Sequence, residues 1–275
     1  MFFSDKWYTN GLEFTWDKFD YSNELYHTKK SYVLGQRIYT PTKYYRPVEY
    51  IDEYDRPFAG YLYLAYMKEK YKQDGKYTKK AWFFETIGDA SLGAKTQRAY
   101  HKYLDFKTPL GWPSEIENIY GIAYYVENSP FYKKFDLNKD LTFDIRFINK
   151  LHLGNVMLYG GSGLSLRFGN INNSYEFKEE SENKLGTIDE YYLTLDSGFE
   201  LKGHDSTIEG DIIKNESPFT EDIYPVVIKN GAGFYLRWDD FSFDYDLTLV
   251  STELKDMEWK DNNWRYHTLK FSWLY

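Results

Sequence analysis

The sequence predicts an all-β chain, a single antiparallel transmembrane β-barrel domain over residues 1–275, and three observations carry that prediction. Period-2 alternation of apolar and polar residues recurs from end to end. Many alternating runs reach about ten residues, the length that crosses a bilayer at a tilt of about 45°, whereas soluble strands average about five to six. Aromatic residues make up 21 % of the chain, with 29 Tyr, 20 Phe and 8 Trp. A barrel that sets amphipathic rings at two lipid–water interfaces uses many of them.

Taken in chain order, the first strand sets Leu12, Phe14 and Trp16 against Glu13, Thr15 and Asp17. Asp74-Gly75 reads as a turn. Thr96 to Leu104 breaks the alternation, is rich in helix formers, and ends before Pro109-Leu110-Gly111-Trp112-Pro113. It reads as a short helix in a long loop at the barrel mouth, with Gln97 and His101 on one face. Further on, Leu141, Phe143, Ile145 and Phe147 alternate with Thr142, Asp144 and Arg146, and Leu164, Leu166 and Phe168 with Ser165 and Arg167. Gly160-Gly161, Asn172-Asn173, Asn230-Gly231 and Asn262-Asn263 read as further turns. Phe241, Phe243, Tyr245, Leu247 and Leu249 form the clearest alternating run. The last strand points Leu269, Phe271, Trp273 and Tyr275 one way and ends on the aromatic, the pattern by which barrel-assembly machinery receives its clients. A backbone in lipid must satisfy every amide internally, and a closed barrel does so without edges.

Composition narrows the function classes. The net charge is −8 and the sequence pI about 5.3, which argues against nucleic acid as a partner, since phosphates call for a basic face. Mean hydropathy is −0.67, and no run approaches the roughly 18 apolar residues of a membrane helix. Cysteine is absent, which suits passage through an oxidising periplasm. Met1-Phe2-Phe3 runs straight into Ser4-Asp5-Lys6 with no signal-peptide pattern, so the start is expected to be trimmed or misassigned.

Several motifs resemble the outer-membrane lipid A 3′-O-deacylase family, the LpxR family. They are Tyr8-Thr9-Asn10-Gly11, Asp55-Arg56-Pro57-Phe58-Ala59-Gly60-Tyr61, and Gln97-x-x-x-His101 followed by Gly111-Trp112 and Glu115-Ile116-Glu117-Asn118. Gly160-Gly161-Ser162-Gly163 and the end at Tyr266–Tyr275 extend the match through nearly the whole chain in order. The resemblance implies a barrel of about 12 strands in the bacterial outer membrane, among its lipids, with a calcium-dependent site at the lipid-A-facing end. That site hydrolyses the ester of the 3′ acyloxyacyl chain of lipid A. Residue by residue, the resemblance gives His101 the role of general base, with Gln97 and Thr9 beside it in the catalytic group. Thr9 is also a contributor to a Ca2+ site whose full ligand set the sequence does not name. Lys43 corresponds to a site lysine, and Arg56 to the family's Asp-Arg pair. The family's acidic Asn-Asp pair would fall just before Met1.

The chemistry itself is reasonable for these residue types. Ester hydrolysis by water needs a base of near-neutral pKa and a positive centre for the oxyanion; histidine and a hard cation serve. The five histidines, His27, His101, His152, His204 and His267, show no HExxH spacing, and Gly161-Ser162-Gly163 lacks the G-x-S-x-G frame. Zinc hydrolases and serine-triad esterases are therefore disfavoured. Lys43, Arg46 and Arg56 could bind lipid A phosphates or form a salt-bridged lumen. Trp7 and Trp82 read as interface girdle or loop anchors, and Trp112 as an anchor or the wall of an acyl groove. The rival readings are a non-catalytic barrel of the same fold (lipid-binding or structural), a pore, and a soluble glycan-binding sandwich.

Overall fold

The computed structural model describes residues 7–20, 26–138, 141–171, 190–238, 240–251, 253–255 and 263–273. Eleven strands succeed one another: β1 (Trp7–Asp20), β2 (Tyr26–Thr40), β3 (Ala59–Lys72), β4 (Tyr77–Ile87), β5 (Ile119–Asp136), β6 (Thr142–Gly154), β7 (Met157–Asn170), β8 (Glu190–Asp205), β9 (Val226–Trp238), β10 (Phe241–Val250) and β11 (Trp264–Trp273). Each pairs antiparallel with the next, in one sheet of order β1 to β11. The strands run from 10 to 18 residues, long enough to span a bilayer at a tilt. The sheet rolls into a nearly closed barrel around a cavity of about 1960 Å3. The expectation of about 12 strands is met to within one.

Side chains sort by face as the alternation requires. Leu12, Phe14 and Trp16 are 60–64 % exposed, and Leu269, Phe271 and Trp273 equally face outward. Their neighbours turn into a polar lumen in which carboxylates are paired, as burial of charge demands. Glu200 takes Lys150 at 2.7 Å and Lys229 at 2.9 Å. Asp144 holds Arg167, with its Nη2 at 2.5 Å, and Glu69 holds Lys29 at 3.1 Å. Tyrosines share this work: Tyr61 donates to Glu85 and Tyr63 to Glu13, each at 2.5 Å, and Tyr77 to Glu127 at 2.6 Å. The tyrosine content thus serves the lumen as well as the interfaces.

Two turn assignments need correction. Gly160-Gly161 lies inside β7, where a Cβ on Gly161 would stand 2.3 Å from the Phe199 carbonyl oxygen; the glycine serves close strand approach. Asn230-Gly231 lies inside β9, with the Asn230 Oδ1 accepting from Ser197 across the ladder at 2.8 Å instead of closing a turn. Asp74-Gly75 is a turn between β3 and β4. Met1 to Lys6, Asn172-Asn173, Asn262 and Tyr275 lie outside the described residues.

The longer described connections gather at one end. Residues 41–58 follow β2, residues 88–118 follow β4, and residues 206–225 follow β8. They hold α1 (Gly93–Tyr103) and the short α2 (Ser206–Glu209). Buried clusters knit them into a cap on the barrel end. One joins Ile38, Tyr54, Phe58, Ala94 and Trp112, and another Trp7, Ile208, Val227, Val250 and Trp264. Outer-membrane barrels carry their long loops outside, so this end faces outward. Trp7 is fully buried here and is no girdle residue, because the chain places it under α2 and β11; Trp82, exposed and 4.9 Å from the Tyr124 ring, does face lipid.

Candidate active site

The helix α1 begins three residues before the expected Thr96, and the reason is local. Ser91 Oγ donates to the Gly88 carbonyl at 2.6 Å and accepts from the Gly93 amide at 3.2 Å. Gly93 then lies directly on Gly60 of β3: a Cβ on Gly93 would stand 2.7 Å from the Gly60 Cα. Two glycines thus let a helix rest on a strand. Gly93, Ala94, Gln97 and His101 form the buried face, at the spacing of one helical side.

His101 is buried yet lines the barrel cavity. Its Nδ1 lies 2.6 Å from the Lys107 carbonyl oxygen. A carbonyl can only accept, so Nδ1 carries the proton in the neutral ring and Nε2 is left with the lone pair. The ring is braced edge-on by Tyr44 at 5.3 Å and Phe106 at 5.6 Å. A polar arc consisting of Thr9, Asn10, Gln36, Arg37 and Tyr44 lines the same cavity.

Thr9 sits at a register shift between Tyr8 and Asn10 in the β1–β2 ladder. Bulges of this kind re-aim a side chain, and the Thr9 hydroxyl meets the Thr40 hydroxyl at 2.6 Å. Gln97 is buried one turn before His101, its Oε1 accepting from Trp112 Nε1 at 2.6 Å while its Nε2 has no hydrogen-bond partner. Trp112 is itself buried, 5.3 Å from the Phe58 ring, so it anchors the cap. Neither residue lines the large cavity.

The basic residues divide. Arg56 is buried, bonds Thr207 Oγ1 at 2.8 Å and lies 4.2 Å over the Tyr39 ring, so it ties the β2–β3 loop to α2. Lys43 remains half exposed on the cap, paired with Glu53 at 2.9 Å; that hydrogen bond holds the Glu53 carboxyl below its ordinary range. Glu115, in the Glu-Ile-Glu-Asn motif, was given no separate role by sequence. Burial and the nearby Asp89 charge push its carboxyl up to about 7 against the pull of Arg98, and its Oε2 is buried without a hydrogen-bond partner. Tyr44 was also missed, for lack of any signal other than its place beside Lys43.

The fit to a metal can be tested on these groups. Among the described residues no group of three or more His, Asp and Glu could hold a metal ion, whereas calcium takes six to eight oxygens. The described cavity wall offers no such cluster, so no catalytic step is routed through a cation.

Long antiparallel strands with an apolar outer face, an ionic lumen and a folded loop cap define an outer-membrane β-barrel protein. The chain belongs to the LpxR family: the family model described as "Outer membrane protein LpxR" matches residues 1–275. The fold is similar to that of LpxR from Salmonella typhimurium, with a TM-score of 0.79, 17 % identity, 98 % of this chain covered and 90 % of that one. At that identity the likeness speaks for the fold. No curated protein matches the sequence. Family and fold together make this a barrel of the bacterial outer membrane, in a family that modifies lipid A.

Proposed function

We propose that this chain is a lipid A 3′-O-deacylase, a carboxylic ester hydrolase in which His101 activates water. The observation that carries the reading is the Nδ1 contact to the Lys107 carbonyl, which leaves Nε2 free to accept a proton at the cavity wall. Water bound there loses its proton to Nε2 as its oxygen attacks the ester carbon. The tetrahedral oxyanion collapses, the C–O bond breaks, and the proton passes from Nε2 to the departing sugar oxygen. Thr9, which lines the same cavity, is the hydroxyl donor in this reading, Gln97 positions α1 through its bond to Trp112, and Lys43 is the cap cation best placed to meet a phosphate because it remains half exposed. Arg56 and Trp112 act by holding the cap. The family resemblance adds Ca2+ to this reading, with the Thr9 hydroxyl as one oxygen that would face it. Lipid A, the surrounding outer-membrane lipids and the barrel-assembly machinery, which would grasp β11, are the partners.

Folded protein in detergent, incubated with lipid A and calcium, is expected to release a mass equal to one acyloxyacyl chain. His101→Ala is expected to lower the rate by about 10²–10⁴-fold with heat-modifiable gel migration intact. Full activity in that variant would sink the mechanism. A second reading, a lipid-binding or structural barrel without catalysis, draws on the absence of a described metal cluster. Tight lipid A binding with no mass change in the presence of calcium would favour it.

A further inference from the structure

The outer side of α1 and the segment after it do not look like a loop made for water. Residues 102–108 are exposed without a break. Within and beside them stand Tyr103 at 87 % exposure, Phe106 at 53 % and Leu110 at 48 %. This apolar surface lies on the cap, beyond the strand faces that meet hydrocarbon. It is also held firmly. The Phe106 amide donates to the His101 carbonyl at 2.9 Å, Leu110 to the Tyr44 carbonyl at 3.1 Å, and the Lys107 carbonyl engages His101.

The charge of the same stretch runs against that of the molecule. Residues 93–110 carry four basic side chains and one acidic, a net of +3, in a chain of net −8. The cations stand beside rings: Lys107 Nζ is 4.5 Å from the centre of the Tyr45 ring, and Lys102 adjoins Tyr103. Exposed aromatic and aliphatic groups interleaved with lysines are the composition of surfaces that lie in a head-group layer, and the positive sign selects anionic lipid.

We propose that residues 93–110 form an interfacial anchor for anionic lipid, with Tyr103 and Leu110 entering the head-group layer while Lys102 and Lys107 meet its phosphates. Since His101 occupies the opposite, buried face of the same helix, the anchor sets the mouth of the cavity at the level of a lipid-borne ester. This deepens the function proposed above and rests on it in one respect, that the loop end faces the leaflet holding the substrate.

The absence of cysteine makes the test clean. Tyr103→Cys carries an environment-sensitive fluorophore in protein reconstituted into phosphatidylcholine bilayers, with or without phosphatidylglycerol or a phosphorylated glycolipid. Lys214→Cys, on another exposed loop at the same end, is the reference. Lipid-borne nitroxide is expected to quench position 103 several-fold more than position 214, and more strongly with either anionic lipid. Charge reversal by Lys102→Glu and Lys107→Glu lowers that partition about fivefold per lysine. Equal access of aqueous iodide to both positions in every bilayer overturns the proposal. So does protection of position 103 that appears in detergent and grows with protein concentration, which would mark a second copy as the occupant. Quenching without acyl release would retain the anchor and remove the hydrolase, and acyl release without quenching would do the reverse.

Discussion

Glu115 follows the short turn at Trp112–Ser114, and its carboxyl is pushed up to about 7 by burial and by Asp89. Between the ordinary 4.5 and about 7 the folded cap retains a proton that the unfolded segment has lost. Stability therefore falls as pH rises through that window and levels above it. The group is partly exposed, so solvent screening reduces the effect to roughly 1 kcal/mol. Hydrogen-exchange protection of residues 88–118, corrected for intrinsic rates, is expected to drop about fivefold from pH 5 to pH 8. Glu115→Gln is expected to flatten that slope, and an unchanged slope would refute the assignment. Sequence placed Glu115 in a motif but could not see this, because its environment comes from Asp89 and Arg98, distant in sequence. The same holds at Gln97. Its face on the helix was legible from the four-residue spacing to His101, whereas the loss of its Oε1 to Trp112, fifteen residues on, was not.

At the scale of elements, α1 is seated on β3 by a contact between two glycines. Gly93→Ala places a methyl 2.7 Å from the Gly60 Cα and 3.2 Å from the Trp112 ring; the nearer atom is backbone and cannot turn aside, so the helix must move off the strand. Overpacking of this kind costs about 1–3 kcal/mol. The barrel ladders do not pass through this contact, so heat-modifiable migration should persist. Displacement of His101 by about 1 Å should cost acyl release on the order of 10²-fold. A variant with wild-type activity would mean that α1 does not need its seat. The helix was legible as a break in alternation, and its later half matched; its start was hidden because Leu92 and Gly93 work through a strand more than thirty residues upstream. Strand identity was legible from alternation, but Gly160-Gly161 and Asn230-Gly231 were not. In strands of 13 and 14 residues these pairs sit mid-strand, where turn chemistry and close approach use the same residues.

For the whole molecule, an odd number of described strands has a directional consequence. Strands β1 and β11 both begin at the loop end, at Trp7 and Trp264, and so run the same way along the seam between them. At the loop end the seam is pinched by aromatic contact, Tyr8 lying 6.2 Å from Trp264 and 5.3 Å from Tyr266. Further along, outward Leu12 and Phe14 and inward Glu13 alike border the cavity, as do Thr268 and Leu269 of β11, which is the mark of two edges flanking a slot. Among the described residues no ladder joins them. Each strand then has one hydrogen-bonded neighbour where β4 to β7 have two, and an unsatisfied amide in hydrocarbon costs several kcal/mol. In detergent micelles, where water reaches such edges, the seam-facing amides of β1 and β11 in this 275-residue chain are expected to exchange at least about tenfold faster than those of β4 to β7. Equal protection across all eleven strands would show that the seam is closed, either by direct parallel pairing of β1 with β11 or by a further strand between them.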